Sequence, residues 1–159
     1  MSDQTLGSIE AIASMDNWDM FNDFITELIT QNVKEKGVGY KLRLASEELI
    51  SNIIRAANDN PRTQGSEVIL EITARLHQEG NQSWFVLGTK DSGSHFDPQF
   101  EERQPIDTEQ NVIERKIGGL GLFLIQQSVE KVTYEWKEEF NIYELWVSAE
   151  NEVEVGKRL

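Results

Sequence analysis

Glu48 and Asn52 stand four residues apart in "ASEELISNII", so on a helix their side chains share a face and can reach one ligand. Read alone, such a pair is most often a solvated carboxylate beside an amide. A second group comes from "IGGLGLFLIQQ", where Gly118, Gly119 and Gly121 crowd the start of an apolar helical run. Glycines there leave backbone amides open to an anion such as phosphate, or equally permit close packing. The lysine and hydroxyl of a Walker loop are missing, and no strand-turn-helix unit frames a dinucleotide fingerprint. A third group lies in "KDSGSHFDPQF". Asp91 ends an apolar strand and Gly93 follows, which suits either a plain Asp-Ser-Gly turn or a carboxylate accepting from the exocyclic amine of a flat ring such as adenine.

The elements that must position these groups are legible as periodicity. Asp16 is the expected N-cap of a first helix, whose Trp18, Phe21, Phe24, Ile25, Leu28 and Val33 recur at helical spacing until Gly37 and Gly39 interrupt it. The pattern resumes at Tyr40 with Leu42, Ala45, Leu49, Ile53 and Ala56, and must stop before "NDNPR". Residues 67–76 alternate as a half-buried strand, "QEGNQ" turns the chain, and "SWFVLGTK" returns as its partner. Residues 92–117 lack periodicity and read as a long surface loop. A third helix follows Gly119, and "VTYEW" and "IYELWV" close the chain as strands around the turn "KEEFN". The predicted fold is an α+β two-layer sandwich, a mostly antiparallel sheet with helices on one face.

Bulk properties narrow the function. With 15 basic and 28 acidic side chains among 159 residues, the formal charge of −13 repels nucleic acid and anionic lipid. The absence of cysteine excludes disulfides, thiolate metal sites and cysteine nucleophiles. No basic-then-apolar leader and no membrane-length apolar run is seen, so the expectation is a cytoplasmic protein without membrane contact. The Asn81-Gln82-Ser83 string is read as a hairpin turn rather than a glycosylation site.

Taken together and in order, these segments resemble the GHKL ATPases. Glu48-x-x-x-Asn52 is similar to the N box, Asp91-x-Gly93 with Phe96-Asp97-Pro98 to the first glycine box, and Gly119-Leu-Gly121-Leu-Phe to the second. The length and the wording "DSGSHFDP" and "IGGLGLFLI" most resemble the stand-alone serine/threonine kinases that act as bacterial anti-sigma factors. The resemblance implies a Bergerat fold in a single ATP-binding domain over residues 1–159, with a core of about 10–150, a lid at 99–117 and an acidic tail at 151–159. It implies ATP and Mg²⁺ as cofactors: Asn52 coordinating the metal, Asp91 and Gly93 reading adenine, and the amides of Gly119, Leu120, Gly121 and Leu122 holding phosphate. Glu48 would activate the hydroxyl of a protein serine or threonine, and Arg115 or Lys116 would close on the phosphates.

The implied partners are a sigma factor and an anti-anti-sigma protein of STAS type, with a homodimer as relatives commonly form. An alternative is an ATP-binding partner-switch module with little or no kinase activity. A sensor histidine kinase is disfavoured, because His77 falls on a predicted strand and no dimerisation hairpin precedes the N box. The chain departs from the family pattern at His95, where a second glycine is usual, and at Ala56 and Ala57, where a histidine is frequent. No later box bearing a threonine is recognised.

Overall fold

A computed structural model describes residues 2–59, 67–95 and 120–149. Within them the order is β1 (Ser2–Ile12), a 3-10 turn (Met15–Asn17), α1 (Trp18–Asn32), α2 (Lys36–Asp59), β2 (Ile69–Glu79), β3 (Gln82–Asp91), α3 (Leu120–Ser128), β4 (Lys131–Lys137) and β5 (Phe140–Ser148). The strands form one sheet in the order β1-β2-β3-β5-β4, and every pairing is antiparallel. The expected two-layer α+β architecture is therefore what the chain adopts.

One face of the sheet is apolar and meets the helices. Leu70, Ile72 and Ala74 of β2, Phe85 and Leu87 of β3, and Leu145 and Val147 of β5 are buried there. They meet Phe21, Ile25 and Ile29 of α1, Leu42, Leu49, Ile50 and Ile53 of α2, and Ile125 of α3 in one core. The alternation in β2 and β5 that marks these strands in the sequence is this face. Helix α2 packs against α1, α3 and β5. Among the described residues no helix is long and apolar enough to cross a membrane.

Strand β1 was not expected. Leu6 is an extra residue in its pairing with β2, because the register moves from Thr5 opposite Arg75 to Gly7 opposite Ala74. That bulge shifts the phase of the alternation, so a window across it shows no period of two. The helix ends also differ from expectation. Ser14, rather than Asp16, caps the first turn, its hydroxyl accepting from the Asp16 amide at 3.1 Å. Gly37 and Gly39 belong to the start of α2 rather than to a break, with the Glu35 carboxylate accepting from the Val38 amide at 3.0 Å. A Cβ at Gly39 would lie 3.1 Å from Ile29 Cγ2, so glycine there lets α2 approach α1. Helix α2 also continues through Asn58 to Asp59, slightly into "NDNPR".

The face of the sheet opposite the helices is held by charge and aromatic contacts. Arg75 of β2 bonds Glu144 of β5 at 2.8 Å and Asp3 of β1 at 3.2 Å. His77 Nδ1 meets the same Asp3 carboxylate at 2.7 Å, and its ring stands edge-on to Trp146 with centroids 5.4 Å apart. Asp3 is thus the pin that fixes the free end of the edge strand β1.

The Asp3 hydrogen bond holds the His77 pKa above 6.5 and the Asp3 pKa below 3.8. The His77 contribution is complete below its unfolded pKa and lost as pH rises through the raised value; that of Asp3 is present above 3.8 and lost as pH falls through the depressed value. Urea midpoints should therefore decline above about pH 6.5, and His77→Gln should flatten that decline; equal slopes for both proteins would contradict it. In the β4–β5 turn, Glu138 and Glu139 both have left-handed φ, 54° and 70°, the geometry of a type I′ turn that Asn-Gly fits with less strain. Replacing the pair by Asn-Gly should stabilise the protein by about 1 kcal/mol in urea unfolding, and no gain would contradict that assignment of strain.

Candidate functional site

Asp91 is the last residue of β3 and lies on the helix-facing side of the sheet, 4% exposed. A buried carboxylate needs donors, and two are present. The Gly93 amide donates to Oδ1 at 3.0 Å, and Asn141 Nδ2 of β5 donates to the same oxygen at 3.1 Å. Burial pushes the Asp91 pKa above the usual carboxylate value, and the Asn141 and Gly93 donors pull against that rise. Oδ2 has no partner among the described residues, which leaves one acceptor for an incoming donor.

Asn141 is the residue that sequence reasoning missed. It was placed in the turn "KEEFN", whereas the turn is only Glu138–Glu139 and Asn141 lies in β5 directly opposite Asp91. Asparagine is depleted in strands, so it reads as turn chemistry unless its partner is known. Its amide also donates to the Ser94 carbonyl at 2.9 Å, while Tyr134 of β4 donates its hydroxyl to Asn141 Oδ1 at 2.7 Å. These bonds turn the amide NH₂ toward Asp91.

Gly93 has a spatial reason to be glycine, because a Cβ there would lie 3.0 Å from Asp91 Oδ1. His95 has a partner as well. Its ring stacks on Trp136 at 4.6 Å and lies parallel to Tyr134 at 6.4 Å, tying the chain after Gly93 to β4.

Glu48 and Asn52 are half-buried on α2, one turn apart. Glu48 makes no hydrogen bond or ion pair within the described residues. Asn52 Oδ1 accepts from Arg55 Nη1 at 2.7 Å, and Arg55 Nη2 reaches Ser51 Oγ at 3.3 Å. Arg55 was not singled out from sequence, although a cation three residues after Asn52 shares its side of the helix. Leu120, Gly121 and Leu122 form the first turn of α3, where helix amides have no intrahelical acceptor and can meet an anion. Gly118, Gly119, Phe96, Asp97, Pro98, Arg115, Lys116, the expected lid at 99–117 and the tail at 151–159 lie outside the described residues.

Contributions thus come from α2, from α3 and from the paired ends of β3 and β5, with α2 packed on both α3 and β5. The arrangement offers a buried carboxylate with one acceptor oxygen unpartnered among the described residues, the first-turn amides of α3 and a carboxylate-amide pair on α2. Among the described residues no three His, Asp or Glu side chains gather to hold a metal on their own. A cation here would depend on Asn52 together with oxygens of a ligand.

A family model for the histidine kinase-like ATPase domain matches residues 13–145. The chain belongs to that family, and its fold is an ATP-binding one. No curated protein matches the chain. The match begins just after β1, so the bulged edge strand precedes the shared part.

Because Gly93 spaces the backbone from Asp91, Gly93→Ala should displace the carboxylate and weaken ADP binding on the order of tenfold. Calorimetric titration measures this, and unchanged affinity would show that the carboxylate position does not matter to the nucleotide.

Proposed function

We propose that the chain is an ATP-dependent serine/threonine protein kinase that acts as an anti-sigma regulatory factor and phosphorylates an anti-anti-sigma partner of STAS type. The observation that carries the reading is the half-buried Glu48 carboxylate, without a partner among the described residues and one helical turn from Asn52. A carboxylate so placed can take the proton of a serine or threonine hydroxyl as its oxygen attacks the γ-phosphorus and ADP departs. Asp91 would hold the adenine amine, and the first-turn amides of α3, with Gly119 ahead of them, would hold phosphate. The resemblance of "DSGSHFDP" and "IGGLGLFLI" to anti-sigma kinases supports the choice of partner class.

Mg²⁺ fits the donor set, since the Asn52 amide oxygen is a hard ligand of the kind this ion takes alongside phosphate oxygens. When bound it would supply neutralisation of phosphate charge. The sigma factor is the second proposed partner, and a homodimer in the cytoplasm is the proposed setting. His77 does not suit a phosphoacceptor role in this reading: it lies on β2, bonded to Asp3.

One observation favours the second reading, an ATP-dependent partner switch with little transfer activity. The Asn52 oxygen that would hold the metal is occupied by Arg55. The two readings separate on variants of the N-box pair. Asn52→Ala should impair Mg·ATP binding and phosphotransfer together. Glu48→Gln should keep nucleotide affinity while transfer of labelled phosphate to the retained partner falls by roughly a hundred- to ten-thousand-fold. If Glu48→Gln transfers as fast as the parent, Glu48 is not the base; if the parent transfers none, the switch reading replaces the kinase.

A further inference from the structure

Residues 92–95 leave β3 along a row that crosses the sheet. Leu70, Asp91, Asn141 and Trp136 stand opposite one another in register on β2, β3, β5 and β4. The departing chain is tied to each of these strands in turn. Ser92 makes two bonds with Ile69 of β2, its amide donating to the Ile69 carbonyl at 3.1 Å and its hydroxyl accepting from the Ile69 amide at 2.9 Å. The Gly93 amide donates to Asp91 of β3, and the Ser94 carbonyl accepts from Asn141 of β5. His95 completes the series on β4, its ring 4.6 Å from that of Trp136 at an interplanar angle of 29° and 6.4 Å from that of Tyr134 at 9°.

The fourth tie differs from the other three. Ser92, Gly93 and Ser94 are held through bonds to their own backbone groups, whereas His95 is held through its side chain. His95 is exposed and Trp136 is 37% exposed, so their stack adds little to the core. What the stack does restrain is the Ser94 carbonyl, one residue back. Through that carbonyl it restrains the Asn141 amide, which donates both to Ser94 and to Asp91 Oδ1.

We propose that His95 is a positioning residue for the nucleotide base. Its stack on Trp136 clamps the strap of residues 92–95 along the row, and so holds the Asp91 carboxylate in its receiving orientation before a ligand arrives. The inference rests on the assignment of Asp91 to the base. A carboxylate fixed in advance loses less conformational freedom on binding, and the saving appears as affinity. A single aromatic stack is strong enough to shift the strap between held and open forms by several-fold.

The test combines calorimetric titration of ADP with amide exchange of the ligand-free protein, on the parent, His95→Ala and His95→Phe. His95→Ala should bind ADP about three- to tenfold more weakly than the parent, and its Gly93 amide should exchange faster by a similar factor. His95→Phe keeps a flat ring against Trp136 and should restore both. A side chain that only stabilised the fold would leave the ADP affinity of the folded protein unchanged. If His95→Ala binds ADP as the parent does, if its Gly93 amide exchanges at the parent rate, or if His95→Phe binds as weakly as His95→Ala, the positioning role is overturned while the nucleotide site stands. If the parent binds no adenine nucleotide, the Asp91 assignment falls and the positioning role falls with it.

Discussion

A carboxylate buried at the end of a strand is unfavourable unless donors meet it, and much of the site's architecture answers that requirement for Asp91. Asn141 has to come from the neighbouring strand in register, and Tyr134 has to hold the Asn141 amide the right way round. Gly93 has to lack a side chain so that its amide can approach Oδ1. The strand order β3-β5-β4 is what makes this possible, because it lines up Asp91, Asn141 and Trp136 across three strands. His95 then stacks on Trp136 from the chain that leaves the site. The bonds satisfy one carboxylate oxygen and leave the other without a partner among the described residues.

The two faces of the sheet are stabilised by different physics. On the helix side, burial of aliphatic and aromatic groups supplies most of the stability, and α2 is held against α1, α3 and β5 with its site residues at the margin of the core. On the other side, Arg75 and Lys131 lie over Trp146 at 5.3 and 4.5 Å, and Arg75 and His77 converge on Asp3. Such contacts weaken with pH or salt while the apolar layer does not. Edge strand β1 therefore depends on conditions more than the strands that carry the site.

Much of this was legible in the sequence. The spacing of Phe21 and Ile25, the alternation in β2 and the apolar run of β3 identify their elements because each buries one face. Glu48, Asn52, Asp91 and Gly93 are singled out as a set because three short motifs occur in a fixed order, although each is ambiguous alone. Strand β1 was hidden by its bulge at Leu6, and Asn141 by its closeness to a turn. The Arg55 contact was not legible: its hydrogen bond to Asn52 is not a property of residue type.

The account turns on Asp91 as the acceptor for a purine amine. Its most direct test is titration of ADP and GDP against the parent protein and Asp91→Asn. ADP should bind the parent and GDP should bind far more weakly, since the guanine carbonyl meets a carboxylate; Asp91→Asn should lose most of the ADP affinity. Equal affinity of the parent for ADP and GDP, or an Asp91→Asn variant that binds ADP as the parent does, would contradict it.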